Sequence, residues 1–270
     1  MRTFVRERVA PFVAVFIALT VVNGGANVAL FSRGFGFMLS PVGTALGALF
    51  TLLIAGASAL VLSRVKRITP VDAGLVPRRG FGSALLMATV AGVGSVVAIV
   101  AILSLTGAAT LTWRGAPPWV WGVGILAFWL NAALQQIGLQ SLWLSLRGGD
   151  RSTWREAVLP LALFVGSHAA ISHAPLYLLN VALFGVATML AFSRATPPSY
   201  AAPVGLHGGW NAAMLFFGTF SENPDEAAFA WSSRGAAWLT GGSAGIESGA
   251  VYTVVIAAVV AGLYAPRQRR

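Results

Sequence analysis

Residues 131–149 read NAALQQIGLQSLWLSLRGG, an apolar run that carries three glutamines, Gln135, Gln136 and Gln140. The run belongs to a longer hydrophobic stretch, Pro118–Leu146, which is long enough to cross a lipid bilayer as a helix. A carboxamide inside a bilayer must find hydrogen-bonding partners, because lipid tails offer none. The stretch therefore predicts a transmembrane helix whose glutamines contact other polar groups.

The composition of the whole chain is that of a membrane protein. Of its 270 residues, 57% are hydrophobic and only 10% are charged, whereas a soluble protein is about 25% charged. No stretch is polar enough for a soluble domain, so residues 1–270 are expected to form a single integral membrane domain. The predicted fold class is all-α, a polytopic membrane helix bundle of about eight transmembrane helices. The predicted spans are Val9–Phe31, Val42–Val61, Ser83–Leu105, Pro118–Leu146, Ala157–Ile171, Leu176–Phe192, Ala201–Phe220 and Ser248–Leu263.

The basic residues predict the orientation of these spans. With the N-terminus in the cytoplasm, fifteen of the 18 Lys and Arg residues fall on the cytoplasmic side, and only Arg33, Arg114 and Arg234 fall outside. This asymmetry follows the positive-inside rule, so both termini are expected in the cytoplasm. The dominance of Arg over Lys, with abundant Ala and Gly, indicates a bacterial source and hence the bacterial cytoplasmic (inner) membrane. Because the positive charge lies at helix ends, no nucleic-acid partner is expected.

Two regions need a separate interpretation. The first predicted span begins like a signal peptide, but its apolar run continues to Phe31, which favours an uncleaved anchor. The outer segment from Glu222 to Glu247 is rich in Gly and Ser and is expected to be mobile.

The carboxylates are absent from the predicted spans. All eight lie in loops or tails, which argues against a proton-coupled transporter, since such proteins use Asp or Glu within the membrane. The strongly polar residues that remain inside the predicted spans are asparagines, glutamines and histidines. Of these, only the histidines can change their charge near neutral pH. Those at similar depth, about 10–18 Å from the cytoplasmic helix ends at ~1.5 Å per residue, are Gln135, Gln136, Gln140, His168, His207 and Asn211.

The spacing of these residues pairs them on helix faces. Gln136 and Gln140 are four residues apart, as are His207 and Asn211, so each pair shares a face. Hydrogen bonding between helices would explain any one pair. The coincidence of three helices at one depth instead favours a polar cavity that faces the cytoplasm.

Two short motifs resemble those of a known family. FVGSH contains Phe164 and His168, and HGGWN contains His207 and Asn211. These motifs are similar to the FxxxH and HxxxN elements of the CPBP family, the CAAX protease and bacteriocin-processing or abortive-infection family of intramembrane endopeptidases. The resemblance covers residues 118–217 and implies a CPBP-like helix bundle. In that family a preceding EExxxR motif supplies a glutamate general base, and the histidines assist it.

This chain departs from the family in the first motif. Gln135 and Gln136 replace the two glutamates, and Gln140 replaces the arginine. A carboxamide cannot accept a proton from water, and general-base catalysis contributes about 10²–10⁴-fold. The chain is therefore predicted to be a catalytically impaired CPBP homologue that keeps the cavity and binds a peptide or membrane-protein partner, with lipids around it.

Two other functions remain open. One is an active CPBP endopeptidase that uses His168 or His207 as the base, and the other is a small-molecule permease. The catalytic positions by family motif are Gln135, Gln136, Gln140, His168, His207 and Asn211. No metal or other cofactor is expected, because two histidines without a carboxylate fall short of the three or four ligands that zinc normally takes.

Overall fold

A computed structural model of the chain describes residues 41–65, 67–115, 117–146, 154–169, 172–194, 199–220 and 227–265. The first predicted span, Val9–Phe31, and the basic residues of both termini lie outside these ranges. The described residues are mostly helical, as predicted. The long helices are α1 (Pro41–Val65), α2 (Phe81–Leu105), α3 (Pro118–Leu146), α4 (Val158–Ala169), α5 (Pro175–Ser193), α6 (Ala201–Phe217) and α8 (Ala250–Tyr264).

Shorter elements connect these helices. A four-residue helix, α7 (Ala237–Thr240), precedes α8, and 3₁₀ turns occupy Trp154–Ala157, Gly242–Ala244 and Ile246–Ser248. Two strands, β1 (Ala109–Trp113) and β2 (Phe229–Ser233), pair antiparallel with Ala109 opposite Ser233. The all-α prediction therefore holds for the bundle, with one small sheet in addition.

Three of the described helices are long and apolar enough to cross a membrane. They are Phe81–Leu105, Trp121–Leu144 and Pro175–Ser193, and two shorter apolar helices, Ala48–Arg64 and Ala250–Tyr264, accompany them. These helices support a membrane protein. The count of eight spans and the orientation of the chain stay predictions.

The fifth predicted span, Ala157–Ile171, corresponds to a short helix, and residues 170–171 lie outside the described ranges. Its helix, α4, has 12 residues, about 18 Å at ~1.5 Å per residue, against a hydrocarbon core of about 30 Å. A helix of this length reaches only part of the way through a bilayer. It can nevertheless place Phe164 and His168 beside the longer helices.

The segment from Glu222 to Glu247 has more regular structure than its composition indicates. Its strand β2 pairs with β1, and the rings of Trp113 and Phe229 meet edge to face with centroids 5.0 Å apart. Aromatic and β-branched residues favour such a half-buried pleated surface. The expectation of a wholly mobile loop is therefore wrong for the part that the structure describes.

Close packing of α6 against α2 depends on glycine. A Cβ on Gly205 would lie 2.4 Å from the carbonyl oxygen of Leu85, and one on Gly209 would lie 2.4 Å from that of Thr89. The two backbones are thus in direct contact, as small residues permit between membrane helices. This contact fixes α6, and its remaining faces point towards α3 and α5.

The α1–α2 connection is held by a local polar group at the end opposite β1. Thr69 Oγ1 donates to an Asp72 carboxylate oxygen at 2.7 Å, and Arg78 donates to the other at 3.1 Å. The hydrogen bond from Thr69, together with the Arg78 guanidinium, lowers the pKa of Asp72 below its ordinary value. Asp72 is therefore ionised throughout the neutral range.

Candidate functional site

Two of the three glutamines form a buried chain of hydrogen bonds with His207. Nε2 of Gln140 donates to Oε1 of Gln136 at 3.2 Å, and Nε2 of Gln136 lies 2.8 Å from Nδ1 of His207. Gln136 and Gln140 have no exposed surface, and His207 is 4% exposed. The chain therefore joins α3 to α6 inside the bundle.

The direction of these hydrogen bonds fixes the protonation of His207. Because Gln140 donates to Oε1 of Gln136, the NH₂ group of Gln136 faces the imidazole. An NH₂ group can only donate, so Nδ1 of His207 accepts with its lone pair and the ring proton lies on Nε2. The ring is neutral, and its basic nitrogen is already engaged by Gln136.

The FxxxH motif on α4 lies next to this pair. The ring of Phe164 has its centroid 4.5 Å from that of His168 and 6.3 Å from that of His207. The ring of Phe164 therefore lies near both histidines. We call the five residues Gln136, Gln140, Phe164, His168 and His207 the motif cluster.

His168 has the opposite arrangement of its ring nitrogens. Its Nδ1 lies 2.8 Å from the backbone oxygen of Phe164. Because a carbonyl oxygen only accepts, Nδ1 of His168 carries the proton, and Nε2 of the neutral ring presents a lone pair. Within the motif cluster His207 thus offers an N–H donor at Nε2, and His168 offers an acceptor there.

Aromatic rings from α5 and α6 line the other side of His207. Phe184 of α5 meets His207 edge to face with ring centroids 4.9 Å apart, and it meets Trp210 at 5.2 Å. The sequence analysis did not single out Phe184, because it is one apolar residue in an apolar helix. The one feature of the sequence that could have indicated its role is that α5 lies between the two histidine motifs.

The remaining two predicted residues do not join the cluster. Gln135 donates from Nε2 to Oδ1 of Asn131 at 2.5 Å, one turn back on the same helix. Asn211 is partly exposed and makes no hydrogen bond to the described residues. Among the described residues, the side chain that hydrogen-bonds to His207 is that of Gln136.

A second buried hydrogen bond joins α3 to the beginning of α6. The hydroxyls of Ser141 and Tyr200 lie 2.8 Å apart, and both residues are buried. Ser141 follows Gln140 directly, so the two polar contacts lie on adjacent turns of α3. Together they hold α3 and α6 in one register, which keeps Gln136 opposite His207.

The motif cluster is electrically neutral as far as the described residues extend. None of its members is hydrogen-bonded or ion-paired to a carboxylate there. The described residues also contain no group of three or more His, Cys, Asp or Glu side chains that could hold a metal ion. The cluster can therefore donate and accept hydrogen bonds, whereas a carboxylate base within it is missing from the described part of the chain.

The CPBP resemblance is carried by few residues. It consists of the FVGSH and HGGWN motifs and their order along the chain. The structure brings Phe164, His168 and His207 of these motifs together, and Asn211 lies one turn beyond. Comparison of the chain with protein-family models, with curated proteins and with solved structures gave no match.

Proposed function

We propose that this chain is a CPBP-like membrane protein that has lost the proton-transfer chemistry of the endopeptidases and binds a peptide or membrane-protein partner without cleaving it. The observation that carries the proposal is the hydrogen bond from Gln136 to Nδ1 of His207. It occupies the basic nitrogen of one motif histidine with a group that cannot itself take a proton. The residue that provides it stands where the family has a glutamate.

The loss of hydrolysis follows from the inventory of groups. A general base that removes the proton of water speeds its attack on a peptide carbonyl by about 10²–10⁴-fold, and a carboxamide cannot accept that proton near neutral pH. The substitutions at Gln136 and Gln140 replace the charged glutamate and arginine by two amides that hydrogen-bond to one another. The result is a neutral network that links α3 to α6, with Oε1 of Gln140 buried and unpaired, and none of its amides can activate water.

A binding role is supported by the difference in exposure within the motif cluster. Gln136, Gln140 and His207 are enclosed, whereas His168 is partly exposed and its neighbour Ser167 is exposed. Within the motif cluster, His168 is therefore the polar residue that a ligand approaching α4 can reach. An amide N–H of an extended peptide is a suitable donor for the lone pair on its Nε2.

The proposal also includes a location. We place the protein in the bacterial cytoplasmic membrane with both termini inside. The support for this is the excess of basic residues in the predicted cytoplasmic segments.

A second candidate function rests on His168. Its Nδ1–H is held by the backbone oxygen of Phe164, and its Nε2 carries a lone pair. This is the arrangement of a histidine that acts as a general base. An active endopeptidase would then use His168 for the water and Nε2–H of His207 for the developing negative charge on the substrate oxygen.

Peptide capture tests the binding role. A photoreactive amino acid at Ser167 is expected to crosslink to a panel of membrane-segment and prenylated peptides. The change His168→Ala is expected to reduce this capture several-fold. A photoreactive residue at Met87, which is 74% exposed on α2, is the matched control. Equal capture at both positions, or no effect of His168→Ala, would contradict a peptide site at α4.

A further inference from the structure

A second polar group lies between α5 and α8, apart from the motif cluster. The 3₁₀ turn Ile246–Ser248 leads into α8, and Asn180 of α5 holds it. Nδ2 of Asn180 donates to the backbone oxygens of Glu247 at 2.7 Å and Gly249 at 3.2 Å, and Oδ1 accepts from Thr253 at 2.7 Å. Both functional ends of this fully buried carboxamide are thus used to hold the turn in place.

Among the residues that the structure describes, none supplies a counter-charge to the side chain of Glu247. The elements packed against its turn are α5, α7, α8 and the 3₁₀ turn Gly242–Ala244. Their titratable residues near Glu247 are Tyr177 and Tyr252, and Tyr264 lies at the far end of α8. None of these elements carries a Lys or an Arg, and the ion pair that the described residues contain joins Arg78 to Asp72.

An ionised carboxylate in this place is costly. Glu247 is partly buried beside two tyrosines that are 1–2% exposed, and burial without a cation or hydrogen-bond donor disfavours the charged form. This desolvation raises the pKa of Glu247 to about 7. Protonation removes the charge and leaves a neutral carboxyl group, which the surrounding apolar side chains tolerate.

We propose that Glu247 is a proton-binding site that controls how firmly the beginning of α8 is held against α5. In the protonated form the turn stays between the two helices, where Asn180 holds its backbone. In the ionised form the carboxylate is solvated better by water than by its neighbours in the fold. Ionisation therefore favours movement of the turn away from α5 and Asn180. Proton binding therefore stabilises the packing of α8 on α5.

Contacts between rings connect this proton site to the motif cluster. Tyr252 of α8 lies against Trp210 with ring centroids 4.8 Å apart, and Trp210 lies against Phe184, which contacts His207. A shift of α8 is thus transmitted to Trp210 by direct contact. Trp210 is fully buried, and its fluorescence reports on that contact.

The dependence of stability on pH tests the proposal. A group whose pKa is higher in the folded protein than in the unfolded chain stabilises the fold most at low pH, and the benefit is lost as pH rises through the folded value. The melting temperature of the purified full-length protein is therefore expected to fall as pH rises through about 7. The variant Glu247→Gln is expected to lose this slope and to melt above the unmodified protein on the alkaline side.

Asp72→Asn is the matched control, because the pKa of Asp72 is lowered and that carboxylate does not titrate near neutrality. It is expected to keep the slope of the unmodified protein. A melting temperature that does not change with pH, or a slope that survives Glu247→Gln, would overturn the proposal.

Spectroscopy on the unmodified protein gives an answer even if Glu247→Gln does not fold. The infrared band of a protonated carboxyl group is expected to disappear as pH rises through about 7, together with a change in Trp210 fluorescence that Trp210→Phe removes. A carboxyl band that shows no change over this range would contradict proton binding at Glu247.

Discussion

Nε2 of Gln136 on α3 lies 2.8 Å from Nδ1 of His207 on α6, and both side chains are buried. The two residues are 71 positions apart in the sequence. Their contact therefore helps to fix the relative position of two helices that are distant in the chain. In the proposed function this contact matters for the chemistry, because the amide occupies the lone pair of Nδ1 that a general base would need.

Replacement of Gln136 tests the structural part of this finding. Gln136→Met keeps the size of the side chain and leaves Nδ1 of His207 and Nε2 of Gln140 without a partner. The loss of buried hydrogen bonds of this kind costs about 1–3 kcal/mol, so the free energy of unfolding is expected to fall by that amount.

Gln135→Met is the control for this change. Gln135 is bonded to Asn131 on its own helix and does not reach α6. A denaturation series in one detergent compares the two variants. A larger loss for Gln135→Met than for Gln136→Met would contradict the assignment of Gln136 as the residue that faces His207.

The glycines between α2 and α6 give a prediction on packing. In Gly209→Ala the new methyl group would meet the carbonyl oxygen of Thr89 at 2.4 Å, so the helices must separate. Overpacking of this kind costs about 1–3 kcal/mol. A fall in melting temperature and a weakened Gln136–His207 contact are expected.

Gly94→Ala is the matched control on α2. A Cβ there meets nothing within 4 Å, and alanine is the better helix former by about 1 kcal/mol. This variant is expected to be neutral or more stable. Equal destabilisation of both variants would show that the close approach at Gly209 is unimportant.

Much of the helical framework could be predicted from the sequence. The predicted spans Pro118–Leu146, Ser83–Leu105 and Leu176–Phe192 agree with α3, α2 and α5 to within two residues, because long apolar runs ended by Pro, Gly or charge leave few other choices. The β1–β2 pairing was missed, because it depends on contacts between segments distant in the chain.

The partners within the site could be predicted only in part. Gln135 and Gln136 are adjacent, and successive residues on a helix point about 100° apart, so the sequence cannot say which one faces α6. In the structure Gln136 faces His207, whereas Gln135 donates to Asn131 on its own helix. Glu247 was predicted to lie in a mobile loop. In the structure Asn180 of α5 donates to its backbone oxygen, a contact between distant segments that composition does not indicate.

The predicted orientation is testable because the chain has no native cysteine. Cysteines introduced at Ser232 and Ser243, both exposed, are expected to react with an impermeant reagent added outside intact cells. Arg78 is exposed just before the first residue of α2, at the end of that helix opposite the β1–β2 sheet. A cysteine at this position is expected to react only after the membrane is opened. The reverse labelling pattern would show that the positive-inside assignment is wrong.

The most direct test of the central claim is a cleavage assay on two purified proteins, the unmodified chain and the triple variant Gln135→Glu, Gln136→Glu and Gln140→Arg. Both are incubated with the same membrane-segment and prenylated peptides. The unmodified protein is expected to leave them intact, and the triple variant, which regains a carboxylate base, is expected to gain cleavage by about 10²-fold or more. Cleavage by the unmodified protein that is abolished by His168→Ala would contradict the account and establish a histidine-based endopeptidase.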